Sequence, residues 1–140
     1  MFQLHPTLAE KSAPIGRFSL SLVLLGLDAN YPWCLLVPQR ENVMEIHHLG
    51  NEDRLQLMRE SCHLAEVMVD LYGPDKMNVA VLGNNVSQLH MHHVARFKGD
   101  AAWPGPIWGA GPAKTYTDEE LVEQISRLQS ALAGDDFESV

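Results

Sequence analysis

The order of the periodic segments predicts an α+β domain built on a mainly antiparallel sheet. Residues 18–24 alternate in the manner of a half-buried strand, and the apolar run 33–37 follows after a short turn. Two strands this close in sequence pair most simply as an antiparallel hairpin. We expect residues 1–140 to form one domain.

A long helix is predicted after this hairpin. Asn51 can cap its first turn, and Gly73 followed by Pro74 ends it. Apolar residues at three- and four-residue spacings are expected to form its buried face. These residues are Leu55, Met58, Cys62, Ala65, Val69 and Tyr72.

Two further strands and a terminal helix complete the predicted order. The strands are 77–82 and 87–96, and residues 83–85 form the turn between them. Thr117 and Glu120 have the spacing of a capping box, which predicts a C-terminal helix over about 117–133. The segment 103–109, rich in Trp, Pro and Gly, is expected to be a packed loop.

Composition excludes several classes of protein. The chain has 140 residues, 46% hydrophobic and 20% charged, which is typical of neither a disordered nor a membrane protein. A net charge of −8 disfavours electrostatic binding to nucleic acid or to an anionic membrane surface. Cys34 and Cys62 lie in apolar stretches and are expected to be reduced core thiols. No signal peptide is visible, so a cytoplasmic location is expected.

The histidines near residue 90 are the strongest functional signal. Residues two apart share a face of a strand, so Gln88, His90 and His92 are expected to line up on one side. His93 falls on the opposite, mostly apolar side, where we expect a hydrogen-bonded packing residue. A buried row of three polar side chains needs partners, which indicates that this face looks into a site.

Three interpretations of this row remain open from the residues alone. The histidines could be solvated on an exposed sheet face. They could bind a metal ion, with a further ligand from His47, His48 or His63, although we expect those three at the surface. They could also act in nucleophilic catalysis, in which a neutral imidazole attacks an electrophile and its neighbour holds the developing charge.

The segment resembles the signature of the histidine triad family of nucleotide hydrolases and transferases. That signature is His-x-His-x-His followed by two apolar residues, and Gln88, His90 and His92 stand at its three positions. The resemblance extends to the hairpin, the long helix and the strand pair before the motif. It implies a histidine triad fold, with a sheet of about five strands, one long helix packed on it and a C-terminal helix. It also implies that His90 attacks the α-phosphorus of a nucleotide and that His92 hydrogen-bonds the phosphate or the leaving group. Gln88 indicates a branch of the family with glutamine at the first position.

The resemblance also implies residues that bind the substrate. Trp33 stands where many members have a phosphate-binding histidine, and it would pack or stack there. Amide groups of the 83–85 turn, with Asn84 or Asn85, would hold the phosphate. Asp28 would bind the ribose, although a plain turn aspartate is an equal alternative. Leu25 would flank the base.

The expected function is therefore cleavage at the α-phosphate of a small-molecule nucleotide through a nucleotidyl-histidine intermediate. Candidate substrates are dinucleoside polyphosphates, nucleoside phosphoramidates and adenylates. No cofactor or metal is required, and Mg²⁺ is expected only as a companion of a polyphosphate. Members of the family are commonly homodimers, and the loop with Trp103 and Trp108 would help the dimer or shape the leaving-group pocket. A non-catalytic nucleotide-binding dimer and a histidine-ligated metalloprotein are the alternatives.

Overall fold

The computed structural model describes residues 1–134 and 136–140. Within them the strands form one antiparallel sheet in the order β4-β5-β3-β2-β1-β6. The elements in chain order are α1 (Pro6–Glu10), β1 (Ser12–Arg17), β2 (Ser21–Gly26), β3 (Trp33–Pro38), a 3-10 turn (Ile46–His48), α2 (Asn51–Tyr72), β4 (Lys76–Val81), β5 (Met91–Arg96), α3 (Asp118–Leu132) and β6 (Glu138–Ser139). The predicted α+β class is confirmed, with six described strands in place of about five.

The predicted hairpin is confirmed as β2 and β3, which pair from Ser21 opposite Pro38 to Leu25 opposite Cys34. The first strand begins later than predicted because the Phe18 N–H donates to the Ser21 carbonyl at 2.8 Å and closes a turn. This turn connects to β1, which the sequence did not predict. Proline and glycine interrupt the alternation of β1, and the register shifts between Pro14 and Gly16.

Both faces of the central strands are covered. On one face Leu25, Cys34 and Leu36 pack into a core with residues of α2 and α3, among them Leu64 and Leu128. The other face carries a smaller cluster formed by Leu24, Leu35, Val37, Leu8 of α1 and Val86. Since His92 pairs with Leu35 across the sheet, this residue of the third triad position lies on the smaller side.

The predicted buried face of α2 is wrong except at its C-terminal end, where Tyr72 packs against the main core. Leu55 is 60% exposed and Met58 is 58% exposed, whereas the buried face includes Glu60 and Ser61. Polar residues tolerate burial here because they have partners, such as the Leu20 N–H that donates to the Glu60 carboxylate at 2.9 Å. The remaining buried residues of the helix are Leu57, Leu64, Val67 and Met68.

The ends of α2 and its cysteine also differ in part from prediction. Gly50 is the N-cap residue and Asn51 the first helical residue, while Gly73 ends the helix at a φ of 60° as expected. Cys62 is exposed rather than in the core, and Cys34 is buried; both are free thiols. In the described part of the chain, no helix has the length and apolar character needed to cross a membrane.

A buried ion pair anchors the loop that follows β5. The Arg96 guanidinium donates to both carboxylate oxygens of Asp100, at 2.8 and 3.1 Å, and also to the Gly105 carbonyl at 2.8 Å. It lies between the rings of Tyr31 and Trp103. Backbone N–H groups of the loop donate to the same carboxylate. The loop is thereby tied to the end of β5 next to the histidine segment.

The predicted capping box is confirmed at the start of α3. The Thr117 hydroxyl accepts from the Glu120 N–H, and the Glu120 carboxylate accepts from the Thr117 N–H.

Candidate active site

A cavity of about 350 Å³ lies on the side of the sheet that carries the smaller cluster. Both His90 and His92 line it. Among its described lining residues Lys11 is the one with a permanent charge, and none is a carboxylate. The full lining is Thr7, Leu8, Lys11, Ser12, Gly26, Trp33, Leu35, Leu82, Gly83, Asn84, Asn85, Val86, His90, His92 and Trp108. A cavity of this composition suits an anionic ligand with an aromatic part.

His90 lies just before β5 and not within it. The strand begins at Met91, so the predicted strand 87–96 starts too early and the expected three-residue row does not form. His90 is 7% exposed, and its Nδ1 lies 2.7 Å from the Gln88 carbonyl oxygen. A carbonyl only accepts, so Nδ1 carries the proton and the neutral ring keeps a lone pair on Nε2. Such a ring has the form that a nitrogen nucleophile requires.

The Gln88 side chain is directed away from the cavity, which corrects its predicted catalytic placement. Its amide oxygen accepts from the His5 N–H at 2.8 Å, and its amide nitrogen donates to the Gln3 carbonyl at 2.9 Å. Gln88 therefore ties down the N-terminal segment that leads into α1. Its contribution to the site is its backbone carbonyl, which orients His90.

His92 is fixed by Trp33. The Trp33 Nε1–H donates to His92 Nδ1 at 3.0 Å, and the Trp108 ring also packs against His92, its centroid 5.0 Å from that of the imidazole. Indole is only a donor, so Nδ1 is an acceptor and the neutral ring carries its proton on Nε2. Burial, followed by the nearby His90 and His93, lowers the pKa of His92 to about 3.

His93 has the packing role that was predicted for it. It is fully buried on the α2 side of the sheet, where its Nε2 lies 2.7 Å from the Ser61 hydroxyl and its Nδ1 lies 3.2 Å from the Met91 carbonyl. Burial lowers its pKa to about 4. The adjacent histidines of β5 thus serve opposite faces of the sheet.

Two predicted substrate-binding residues lie elsewhere. Leu25 is fully buried in the main core on the other side of the sheet, so it does not flank this cavity. Asp28 is not among the lining residues, and its Oδ1 accepts from the Asn30 N–H at 3.0 Å and from the Lys114 N–H at 3.1 Å. These contacts are those of a turn aspartate, which was the alternative to ribose binding for this residue.

Asn84, Asn85 and Trp33 do line the cavity. The sequence did not reveal the contribution of α1. Thr7 of this helix and Lys11, which follows it, also line the cavity. A proline at the first helical position is a helix-start signal that was available, but a five-residue helix has too little periodicity to detect.

The described residues do not assemble a metal site. His47, His48 and His63 are exposed and lie outside the cavity lining. Among residues 1–134 and 136–140, no group of three or more His, Cys, Asp or Glu side chains could hold a metal ion.

Comparison with known proteins places this geometry in a family. The model of the HIT domain, the histidine triad domain, matches residues 8–99. The chain belongs to the HIT family. HIT proteins are generally nucleotide-binding hydrolases or transferases. No curated protein matches the chain significantly.

Three solved HIT structures share nearly the whole fold, each with a TM-score of 0.92. A histidine triad protein from Marinobacter aquaeolei VT8 is 48% identical, with 94% of this chain and 96% of that chain covered. One from Bradyrhizobium japonicum is 42% identical, with 94% and 98% covered. One from Sinorhizobium meliloti 1021 is 37% identical, with the same coverage.

Proposed function

We propose that this HIT protein cleaves nucleotides at the α-phosphate by attack of His90 Nε2, in a branch of the family with glutamine at the first triad position. The observation that carries the proposal is the 2.7 Å contact between His90 Nδ1 and the Gln88 carbonyl. It holds the proton on Nδ1 and leaves the cavity-lining ring with a nucleophilic Nε2. Glutamine at the first triad position does not disturb this hydrogen bond, because its acceptor is the backbone carbonyl of residue 88 and not a side chain.

The reaction would proceed in two displacements. Nε2 forms a bond to the α-phosphorus, and the bond from phosphorus to the leaving group breaks, with its electron pair departing on the leaving group. Water then attacks the phosphorus, the P–N bond breaks, and the electron pair returns to Nε2 while the proton of the water is released. For a transferase, another nucleophile takes the place of water.

The surrounding residues support a phosphate in this cavity. Lys11 supplies the one permanent charge among the described lining residues, and it is positive in a chain whose net charge is −8. The Asn84 and Asn85 side chains and the amides of their turn offer donors, and His92 offers its Nε2–H. Trp33 and Trp108 provide aromatic walls.

The candidate substrates are dinucleoside polyphosphates, nucleoside phosphoramidates and adenylates. The mechanism requires no cofactor of its own, and Mg²⁺ would enter only with a polyphosphate. A cytoplasmic location remains a prediction.

The test is substitution of the proposed nucleophile. We expect His90→Ala to abolish turnover of adenylated substrates while nucleotide binding is retained. Intact-mass analysis of the unaltered protein should detect an adenylate adduct, and peptide analysis should locate it on a peptide containing His90. His63→Ala is the matched control, because His63 is exposed and outside the cavity. Undiminished turnover by His90→Ala would exclude His90 as the nucleophile.

A non-catalytic nucleotide-binding protein is the second candidate. It is favoured by the Gln88 amide, which is engaged with the N-terminal segment rather than with the cavity. This candidate predicts micromolar nucleotide binding, as is usual for a modest site, without product from any adenylated substrate. Detection of adenylated His90 would eliminate it.

We also propose that the protein forms a homodimer. The exposed apolar residues Leu55, Met58 and Val69 lie on α2, and β4, with Val79 48% exposed, is an edge strand of the sheet. Burial of these surfaces against a second copy would remove apolar area from water. Sedimentation velocity should show a dimer that Met58→Glu weakens, and a monomer at all concentrations would contradict the proposal.

A further inference from the structure

The Trp33–His92 contact bears on which leaving groups the site can expel, and this inference rests on the proposed function. General acid catalysis requires a side chain that holds a transferable proton near the leaving atom. His92 is the remaining triad histidine at the cavity, so its protonation state decides whether the site has such an acid.

The hydrogen bond from Trp33 leaves His92 with one chemical form. Nδ1 accepts the indole N–H at 3.0 Å, so a proton could be added to Nδ1 only by turning two N–H groups toward each other. Loss of the Nε2 proton instead would leave an imidazolate, which is too basic to form near neutral pH. The ring can therefore donate a hydrogen bond from Nε2 without giving the proton away.

No described residue around His92 favours its protonation. Trp108 packs against one side, His90 approaches from the preceding segment with its centroid at 4.9 Å, and Lys11 lines the same cavity. His93 is its neighbour on the opposite face of β5. No Asp or Glu is among the described lining residues. The lowered pKa of His92 agrees with this environment.

We infer that Trp33 holds His92 as a neutral hydrogen-bond donor and thereby restricts the reaction to leaving groups that depart as stable anions. Phosphates, polyphosphates and carboxylates depart with the electron pair and need no proton. Amines do not leave phosphorus without one. Trp33 is accordingly a positioning residue, and among the candidate substrates the anhydrides are selected over the phosphoramidates.

The first test compares leaving groups. We expect kcat/KM for a diadenosine polyphosphate to exceed that for adenosine phosphoramidate by about 100-fold or more, the usual contribution of general acid catalysis. Trp33→Phe keeps an aromatic ring but frees His92 Nδ1 to take up a proton. The ratio of the two kcat/KM values should then fall by about tenfold or more, because kcat/KM for the phosphoramidate rises at low pH. Similar rates for both substrates in the unaltered protein would overturn the inference.

Trp108→Phe is the matched control. Trp108 also packs on His92, but its buried Nε1 has no hydrogen-bond partner among the described residues. This variant removes a similar part of the aromatic wall without touching Nδ1, so the preference for the anhydride should persist. A loss of preference equal to that of Trp33→Phe would assign the effect to packing and contradict the role of the N–H.

The second test does not depend on turnover. Nitrogen-15 NMR of the His92 ring should show the Nε2–H tautomer alone, without titration, between about pH 5 and pH 8, and Trp33→Phe should lose this exclusivity. A proton on Nδ1 or a titration in that range overturns the inference. Absence of turnover with every substrate would instead overturn the proposed function, and the restriction on leaving groups with it.

Discussion

At the scale of single residues, the position of the Trp33 indole depends on the glycine across the hairpin. A Cβ atom on Gly26 would lie 2.7 Å from Cδ2 of the Trp33 ring, closer than carbon atoms approach without displacement. Gly26 also lines the cavity. A residue with no chemistry of its own therefore decides whether the indole can reach Nδ1 of His92.

We predict that Gly26→Ala displaces the indole and breaks this hydrogen bond. The His92 ring should lose its exclusive Nε2–H form in NMR spectra, and overpacking should lower the free energy of unfolding by about 1–3 kcal/mol. Gly99→Ala is the control, because a Cβ there has no neighbour within 4 Å. An unchanged His92 tautomer in Gly26→Ala would show that the indole adapts to the added methyl group.

The site also shows which residue roles a sequence can predict. Residue type and spacing singled out His90 and His92 as site residues and assigned His93 to the opposite face, and the family resemblance supplied the catalytic roles expected of the first two. The placement of Gln88 did not, because its amide pairs with Gln3 and His5, more than 80 positions away in the chain. Local periodicity carries no information about such partners. The family resemblance could not place Asp28 either, since its carboxylate oxygen is taken by groups of a turn and a distant loop.

At the scale of elements, Arg96 and Asp100 connect β5 to the loop that delivers Trp108. Their side chains are 2% and 5% exposed, and the carboxylate also accepts from three loop N–H groups. The Arg96 hydrogen bond, followed by these backbone donors, lowers the pKa of Asp100 to about 2. The loop conformation therefore depends on this one carboxylate being ionised.

We predict that Asp100→Asn lowers the free energy of unfolding by about 3–5 kcal/mol near neutral pH, since it leaves a buried guanidinium without its counter-charge. Because the folded pKa of Asp100 is depressed from 3.8, its ionised form stabilises the fold above that value. This contribution is lost as pH falls through about 2. Urea titrations of both proteins should therefore converge as the pH is lowered through this range.

Asp53→Asn is the matched control for this measurement. Asp53 forms a similar two-point pair with Arg40, at 2.7 and 3.1 Å, but Arg40 is 46% exposed. Its removal should cost less than about 1 kcal/mol. Equal losses for the two variants would show that burial does not distinguish these pairs.

The elements divide into those with local causes and those without. The hairpin of β2 and β3, the end of α2 at Gly73 and the capping box of α3 follow from nearby residues, and each was predicted. The buried face of α2 was not predicted, because the partners of its polar residues are distant in sequence. Glu60 accepts from the N–H of Leu20, just before β2, and Ser61 pairs with His93 of β5. Apolar spacing alone pointed to Leu55 and Met58, which face outward.

At the scale of the whole molecule, the charge of the chain and the charge of the cavity have opposite signs. The formal net charge is −8, while Lys11 is the one permanent charge among the described lining residues. An approaching nucleotide is repelled at long range and attracted only once it is near the cavity. These two interactions act over different distances, so mobile ions affect them unequally.

Added salt should consequently accelerate nucleotide capture. The Debye length is about 10 Å at 0.1 M ionic strength, which screens the distant surface charges more than a direct contact with Lys11. Stopped-flow fluorescence of Trp33 and Trp108 should show an association rate that rises with ionic strength from low salt, and the acceleration should persist in Lys11→Met at a lower overall rate. A rate that falls with salt would mean that the local field of the cavity already dominates at a distance. On the expected outcome, an acidic HIT protein captures its anionic substrate most slowly in dilute buffer.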